Sequence, residues 1–165
     1  MMSAALAAAL LAAGGGHAQA VAGAALSLSA GARAYDLGST PVVALRAEYP
    51  VTPTFLIEAA GSVADPVTGV SRAVTSLIEI QAQGQAPGGR VVPYLGVGAG
   101  LGRFDAFDIP PAERTTTALL SFGGGARIGI QRQLGLVADA RFRRALTERS
   151  AGHVDVTVGL RYRFR

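Results

Sequence analysis

A run of glycines spaced two residues apart, from Gly96 to Gly102, is the first place in this sequence to look for chemistry. Glycine-rich loops can hold phosphates, but the dinucleotide-binding fingerprint needs glycines at offsets of two and then three, where a strand passes into a helix. The offsets here are two throughout, which is typical of a strand with one bare face. We therefore predict no nucleotide site and no cofactor.

His153 is the second candidate for chemistry, since it is the only histidine beyond residue 20. One histidine cannot form a multi-histidine metal centre, and a chain without cysteine has neither thiolate ligands nor disulfides, so we predict no metal site. Catalysis would need a serine and an acid beside the histidine. Asp155 is two residues away, but Ser150 lies across Gly152 in a predicted loop. We predict no catalytic residues and expect His153 to be solvated at a loop end.

The charged side chains are spread along the whole sequence. The formal net charge of +4 is modest, and the arginines are interleaved with Asp and Glu instead of forming one basic patch with stacking aromatics. The sequence therefore predicts no nucleic-acid partner. With 165 residues and 50% hydrophobic content, the chain has the size of one domain with a large apolar surface.

Residues 153–165 alternate without interruption between apolar and polar side chains, which is the period of a β-strand. Val154, Val156 and Val158 begin an apolar face that continues to Phe164. The opposite face carries Asp155 and, further on, two arginines. Similar stretches recur along the chain between turn-rich segments, and most are near the roughly 9–11 residues that a tilted strand needs to cross a bilayer. They predict eight strands, at residues 25–35, 42–49, 54–63, 72–83, 91–104, 115–131, 133–143 and 153–164.

The predicted connections alternate in length. Those at residues 50–53 and around Arg132 are short, and those at 105–113 and 144–152 are longer, although the 83–90 link is long for its place in the series. Transmembrane barrels alternate short periplasmic turns with longer outer loops, so an even strand number predicts both ends of the barrel in the periplasm. The outer-loop charges are candidates for contact with lipopolysaccharide or a host surface: Asp105, Asp108, Glu113, Arg144 and Arg149.

Each predicted strand has one face without charge and one face that collects the charges. An arginine facing lipid at the midplane costs about 2–4 kcal/mol, so in a membrane the charged face must point into the barrel. Opposite charges nearly balance there, as a buried network requires. The predicted lumen charge network, with a structural role, consists of Arg33, Arg46, Glu48, Glu58, Glu79, Arg127, Asp139, Arg141, Asp155, Arg161 and Arg163.

Glycines on the polar face favour an enclosed interior over a water-exposed one. On an exposed face they would weaken the strands without benefit. Inside an eight-stranded barrel, which is only wide enough to be filled by side chains, they make room for arginines and for Tyr94 from neighbouring strands. The glycines expected to do this are Gly96, Gly98, Gly100, Gly102, Gly123, Gly125 and Gly129.

Aromatic side chains on the apolar face lie near the predicted strand ends, as in the interfacial girdles of membrane barrels. Phe104 is a further candidate at the outer rim. The predicted membrane-interface aromatics are Tyr49, Phe55, Phe142, Tyr162 and Phe164.

The C-terminal strand, with its unbroken alternation and its terminal aromatics, resembles the last strand of bacterial outer-membrane β-barrels. The pattern of the chain as a whole is similar to small eight-stranded barrels of the OmpA/OmpX type. This resemblance implies an all-β, antiparallel, up-and-down transmembrane barrel in the outer membrane of a Gram-negative bacterium. It also implies a structural or surface-interaction role without an open pore, with outer-membrane lipid and, through the C-terminal strand, the barrel assembly machinery as partners.

The N-terminal twenty residues are expected to be a cleaved signal peptide, because an apolar run at residues 4–13 precedes the small residues Ala18 and Ala20 around Gln19. The predicted organisation is a signal peptide at 1–20 and a barrel at 21–165. Two other functions remain open. A soluble periplasmic lipocalin-like calyx for a small apolar ligand would show the same alternation turned inside out, and an outer-membrane barrel enzyme that modifies lipid would use His153.

Overall fold

The protein is an eight-stranded β-barrel in the computed structural model, which describes residues 23–36, 38–65, 72–86, 88–106, 114–146 and 152–164. The strands are β1 (Ala25–Tyr35), β2 (Gly38–Thr52), β3 (Phe55–Ala64), β4 (Arg72–Gln85), β5 (Val91–Ala106), β6 (Arg114–Gly129), β7 (Leu134–Ala145) and β8 (His153–Arg163). All eight predicted strands are confirmed. The largest difference is in β2, which begins four residues earlier and ends three residues later than predicted, because its backbone pairing with β1 and β3 continues to the turns.

Each strand pairs antiparallel with the next one along the chain, and β8 pairs antiparallel with β1. The sheet is therefore closed and has no free edge, so every strand has a hydrogen-bonding neighbour on both sides. The predicted up-and-down topology is confirmed. Within the described residues, no helix is long and apolar enough to cross a membrane.

The apolar face of the strands points outward and the charged face points inward. Leu28 is 60% exposed and Ile80 is 65% exposed, while Arg33 is 0% exposed. A soluble calyx would show the opposite arrangement, with an aliphatic interior and an ionic surface. This orientation excludes the calyx and leaves an outer surface suited to hydrocarbon.

Two ends of the barrel are distinguished by their connections. We call turn end the end that carries the connections β2–β3, β4–β5 and β6–β7 together with the start of β1 and the end of β8. Gly88 and Gly89 in the β4–β5 connection have φ angles of 91° and 88°, a left-handed conformation that favours glycine. The opposite end, which carries the connections β1–β2, β3–β4, β5–β6 and β7–β8, is the loop end. The β3–β4, β5–β6 and β7–β8 connections at the loop end are the longest, although β1–β2 has only two residues, so we expect the turn end to be periplasmic.

An apolar cluster lies inside the barrel near the loop end, which the sequence pattern did not predict. It consists of Val74, Leu77, Phe104, Leu119 and Ala145. The pairing of β4 with β5 shifts register between Val74 and Ser76, so the residues before and after this irregularity follow different alternations. The expectation that Phe104 lies at the outer rim among lipid-facing aromatics is wrong, since only 6% of it is exposed.

Several predictions lie outside the described residues. They are the signal peptide at residues 1–20 and the loop residues Asp108, Glu113 and Arg149.

Candidate functional site

The interior of the barrel is filled by charged and polar side chains. Within the described strands, six arginines and five carboxylates are buried. The predicted network residues are all among them except Arg163, and Arg143 is present in addition: Arg33, Arg46, Arg127, Arg141, Arg143, Arg161, Glu48, Glu58, Glu79, Asp139 and Asp155. The alternation of each strand brings these side chains inward, because residues two apart share one face of a strand.

At the loop end, Arg33 holds the first and last strands together. Its Nε donates to Oδ1 of Asp155 at 2.7 Å, and its Nη2 donates to Oδ2 at 2.8 Å. The remaining donors of the guanidinium reach the opposite strands, with Nη1 to the carbonyl of Val74 at 2.7 Å and Nη2 to Oγ of Ser62 at 2.8 Å. Arg33 thus links four strands: β1, β8, β4 and β3.

Arg143 is a network member that sequence reasoning missed. Its Nε and Nη2 donate to the two oxygens of Glu79 at 3.1 and 2.7 Å, and its Nη1 donates to Oδ2 of Asp155 at 2.6 Å. The signal that would have found it is the period of β7. Asp139 and Arg141 were assigned to the inner face, and the same alternation continues to position 143.

Arg141 is in the middle of the network and contacts three carboxylates. Its Nη1 lies 2.7 Å from Oε1 of Glu58 and 2.8 Å from Oε1 of Glu79, and its Nε lies 2.8 Å from Oδ1 of Asp139. Glu58 belongs to β3 and Glu79 to β4, so these contacts reach across the lumen from β7.

Asp139 collects further donors from the other side of the lumen. Nη2 of Arg46 lies 3.0 Å from Oδ1 of Asp139 and also donates to Oγ1 of Thr157 at 2.8 Å. The hydroxyl of Tyr94 donates to Oδ2 of Asp139 at 2.5 Å. The ring of Tyr94 in turn lies beneath the guanidinium of Arg127, with 3.8 Å between the guanidinium carbon and the ring centroid, a cation–π contact.

At the turn end, one carboxylate is shared by two arginines. Nε of Arg127 donates to Oε2 of Glu48 at 3.1 Å, and Arg161 donates to the same oxygen from Nε at 2.9 Å and from Nη2 at 2.7 Å. Arg127 also donates to the amide oxygens of Gln83 and Gln85. These glutamines, together with Gln81, fill the inner face of β4 and were not among the predicted site residues.

Arg163 lies at the mouth of the barrel and not within the network. Its side chain is partly exposed, and in the described part of the chain it makes no ion pair. Its Nε is buried without a hydrogen-bond partner.

Close contacts at several glycines confirm that they make room for interior side chains. A Cβ at position 125 would lie 2.9 Å from the Tyr94 hydroxyl, and one at position 123 would lie 2.9 Å from Cγ of Arg141. At positions 96 and 98 the crowding side chains are glutamines of β4 instead of arginines. The same expectation is wrong for Gly129, which is exposed, and where a Cβ would come no closer than 3.7 Å to any atom.

His153 is enclosed, and the expectation that it is solvated at a loop end is wrong. It is the first residue of β8, and only 3% of it is exposed. Its ring lies 5.6 Å from that of Tyr35, centroid to centroid, and its Nε2 has no hydrogen-bond partner among the described residues. The period of two places it on the same inner face as Asp155, which is the signal that would have located it.

The five predicted interface aromatics all point outward. Tyr49 is 67% exposed, and the other four are 38–43% exposed. Tyr162 and Phe164 make an edge-to-face contact at the turn end, with centroids 5.2 Å apart. Phe122 is also outward, at 61% exposure, and contacts Phe142. Their role at the membrane interface stays a prediction.

The sequence matches the profile of one protein family along nearly its whole length. The family is described as the outer membrane protein beta-barrel domain, and the match covers residues 3–164. Among curated proteins, none is similar enough in sequence to count as a match.

Three solved outer-membrane barrels have the same fold. The N-terminal β-barrel domain of OprF from Pseudomonas aeruginosa is 15% identical, with a TM-score of 0.68, over 88% of this chain and 100% of that one. Ail of Yersinia pestis, in complex with the heparin analogue sucrose octasulfate, is 14% identical, with a TM-score of 0.55, over 86% and 97%. The outer membrane enzyme PagL is 13% identical, with a TM-score of 0.54, over 85% and 99%. At these identities the likeness shows the fold alone.

Proposed function

We propose that this chain, which belongs to the outer membrane protein β-barrel domain family, is a barrel whose interior is a structural plug and not a conducting path. It is an integral protein of the outer membrane of a Gram-negative bacterium, with a structural or surface-interaction role. The finer statements are that the lumen carries no steady ion flow, that the loop end makes the functional contacts, and that the barrel has no catalytic activity.

The proposal that the interior is closed rests on ion pairs between strands that are not neighbours in the sheet. Arg46 of β2 pairs with Asp139 of β7, and Arg141 of β7 pairs with Glu58 of β3. Such pairs run across the lumen, so they obstruct its axis. Because removal of one partner leaves an uncompensated buried charge, opening a path through them is unfavourable.

The loop end is the proposed contact surface. Ail, a barrel of the same fold, was solved in complex with a heparin analogue. In this chain Arg144 is exposed on the outer face of β7 near the loop end. Together with the predicted loop charges it would offer polar contacts to lipopolysaccharide or to a surface ligand.

Further partners follow from the exposed apolar surface and from the last strand. Outer-membrane lipid would cover the aliphatic face. The barrel assembly machinery would bind the C-terminal strand, and export would use a signal peptide cleaved after Ala20. PagL has the same fold and is an enzyme, so the fold does not decide whether this barrel is catalytic. We propose that it is not. In this chain the one histidine beyond residue 20 is enclosed.

The experiment is a planar-bilayer recording with the refolded protein. We expect no steady openings in the unsubstituted protein. Replacing Arg46 and Arg141 by alanine should produce openings, since both cross-lumen pairs are then lost. Large steady openings of the unsubstituted protein, in preparations shown to be folded by heat-dependent gel migration, would refute the closed lumen.

A further inference from the structure

A cavity of about 200 Å³ opens at the turn end of the barrel. It is formed where β6 and β8 end and β7 begins, beside the β4–β5 and β6–β7 connections. The arginines that line it come from β6, from β8 and from the two connections: Arg90, Arg127, Arg132, Arg161 and Arg163.

The charge of this cavity is not compensated by its walls. None of the described residues that line it is a carboxylate. The nearest one in the network is Glu48, which already accepts hydrogen bonds from both Arg127 and Arg161. The remaining three arginines have no acidic partner among the described residues.

Arg163, which lines the cavity, has a donor without a partner. Its Nε is withdrawn from solvent and has no hydrogen-bond partner among the residues that the structure describes. Buried donors of this kind are costly when unpaired, so an incoming acceptor at this atom would be stabilising. Arg132 is exposed in the β6–β7 connection on the same cavity, and it is able to contact an anion from the solvent side.

We infer that this turn-end cavity binds a phosphate group. Arginine forks match the oxygens of phosphate in paired hydrogen bonds, and a phosphate offers more acceptors to several guanidinium groups than a carboxylate does. With the turn end in the periplasm, as expected from the connection lengths, the cavity would lie both beside the headgroups of the inner leaflet and in contact with dissolved phosphate. The same chemistry would recognise a phospholipid headgroup or free phosphate.

The test is calorimetric titration of the full barrel, refolded in octyl glucoside so that the detergent contains no phosphate. Two probes are used at constant ionic strength: inorganic phosphate and the short-chain lipid dihexanoyl phosphatidylglycerol. We expect binding of at least one probe, weakened at least tenfold in the R132Q/R163Q double variant. The control is R103Q, which removes one positive charge at an exposed position of β5 near the loop end, away from the cavity, and should leave the affinity unchanged.

The two probes separate the sources. Equal affinity for both would support a site for free phosphate, and tenfold tighter binding of the lipid would support a headgroup site. The inference is overturned if neither probe binds, or if the double variant binds as the unsubstituted protein does. Heat-dependent gel migration of each variant shows that it is folded. None of these outcomes depends on whether the lumen conducts.

Discussion

Arg33 and Asp155 face each other across the pairing of the first and last strands, joined by two parallel hydrogen bonds of 2.7 and 2.8 Å. They are 122 positions apart in the sequence, and both are buried. The ion pair therefore reinforces the place where the barrel closes. Asp155 also accepts a hydrogen bond from Arg143, whereas Arg33 has no second carboxylate among its contacts. The two residues are thus not equivalent, and their replacement should have different effects.

Asp155→Asn should destabilise the barrel by about 3–5 kcal/mol, because it leaves the buried guanidinium of Arg33 without a carboxylate and removes one of the two carboxylates that Arg143 contacts, the other being Glu79. Arg33→Gln should cost less, because Asp155 keeps its bond to Arg143. The measurement is equilibrium urea unfolding in lipid vesicles, with the folded fraction taken from heat-dependent gel migration.

Equal losses in these two variants would contradict the assignment of Asp155 as the shared acceptor. A useful control is Asp65→Asn, which changes the same group at an exposed position and should shift the free energy of unfolding by less than about 0.5 kcal/mol.

Gly125→Ala tests the crowding of the interior. The new Cβ would lie 2.9 Å from the Tyr94 hydroxyl and would meet the carbonyl of Ala138, so the substitution should cost about 1–3 kcal/mol. Gly84→Ala is the matched control, since a Cβ there meets nothing within 4 Å. Urea unfolding of both variants would show the difference, and equal stabilities would mean that the interior is not tightly packed at this point.

The alternation of each strand carried most of the information that the sequence contains. It located the eight strands and assigned the inner face of β8, because a period of two is a local property of the chain. The partners of each charge were not accessible in this way. That Arg141 meets Glu58, for example, depends on strand closure and on side-chain length across the lumen.

The errors have equally specific causes. Arg143 and His153 were missed where the predicted strands ended or began, although their alternation was regular. Phe104 was misplaced because an aromatic near a strand end was taken as an interface residue, while the structure turns it toward an internal apolar cluster beside the register shift in β4. Hydrophobicity alone does not distinguish a lipid-facing residue from an interior one at such a point.

Ile80→Arg tests the orientation of the barrel in the membrane. Ile80 is 65% exposed and lies in the middle part of β4, so a charge there should cost about 2–4 kcal/mol in a bilayer. Val51→Arg is the control, because Val51 is also half exposed but lies at the turn end of β2, where the cost falls to about 0–1 kcal/mol. Unfolding in vesicles gives both values. Similar costs at the two positions would argue against a membrane centred on the strands.

His153→Ala tests the proposed absence of catalysis. The side chain is enclosed beside Tyr35 on the inner face of β8, so it has no access to lipid at the outer surface of the barrel. We therefore expect the mass profile of lipid A to be the same in cells that produce the unsubstituted protein, the variant, or neither. The variant must first be shown to reach the outer membrane in folded form, by fractionation and gel migration. If the unsubstituted protein altered lipid A and the folded variant did not, His153 would have to reach lipid in a conformation with a different loop end, and the barrel would be an enzyme.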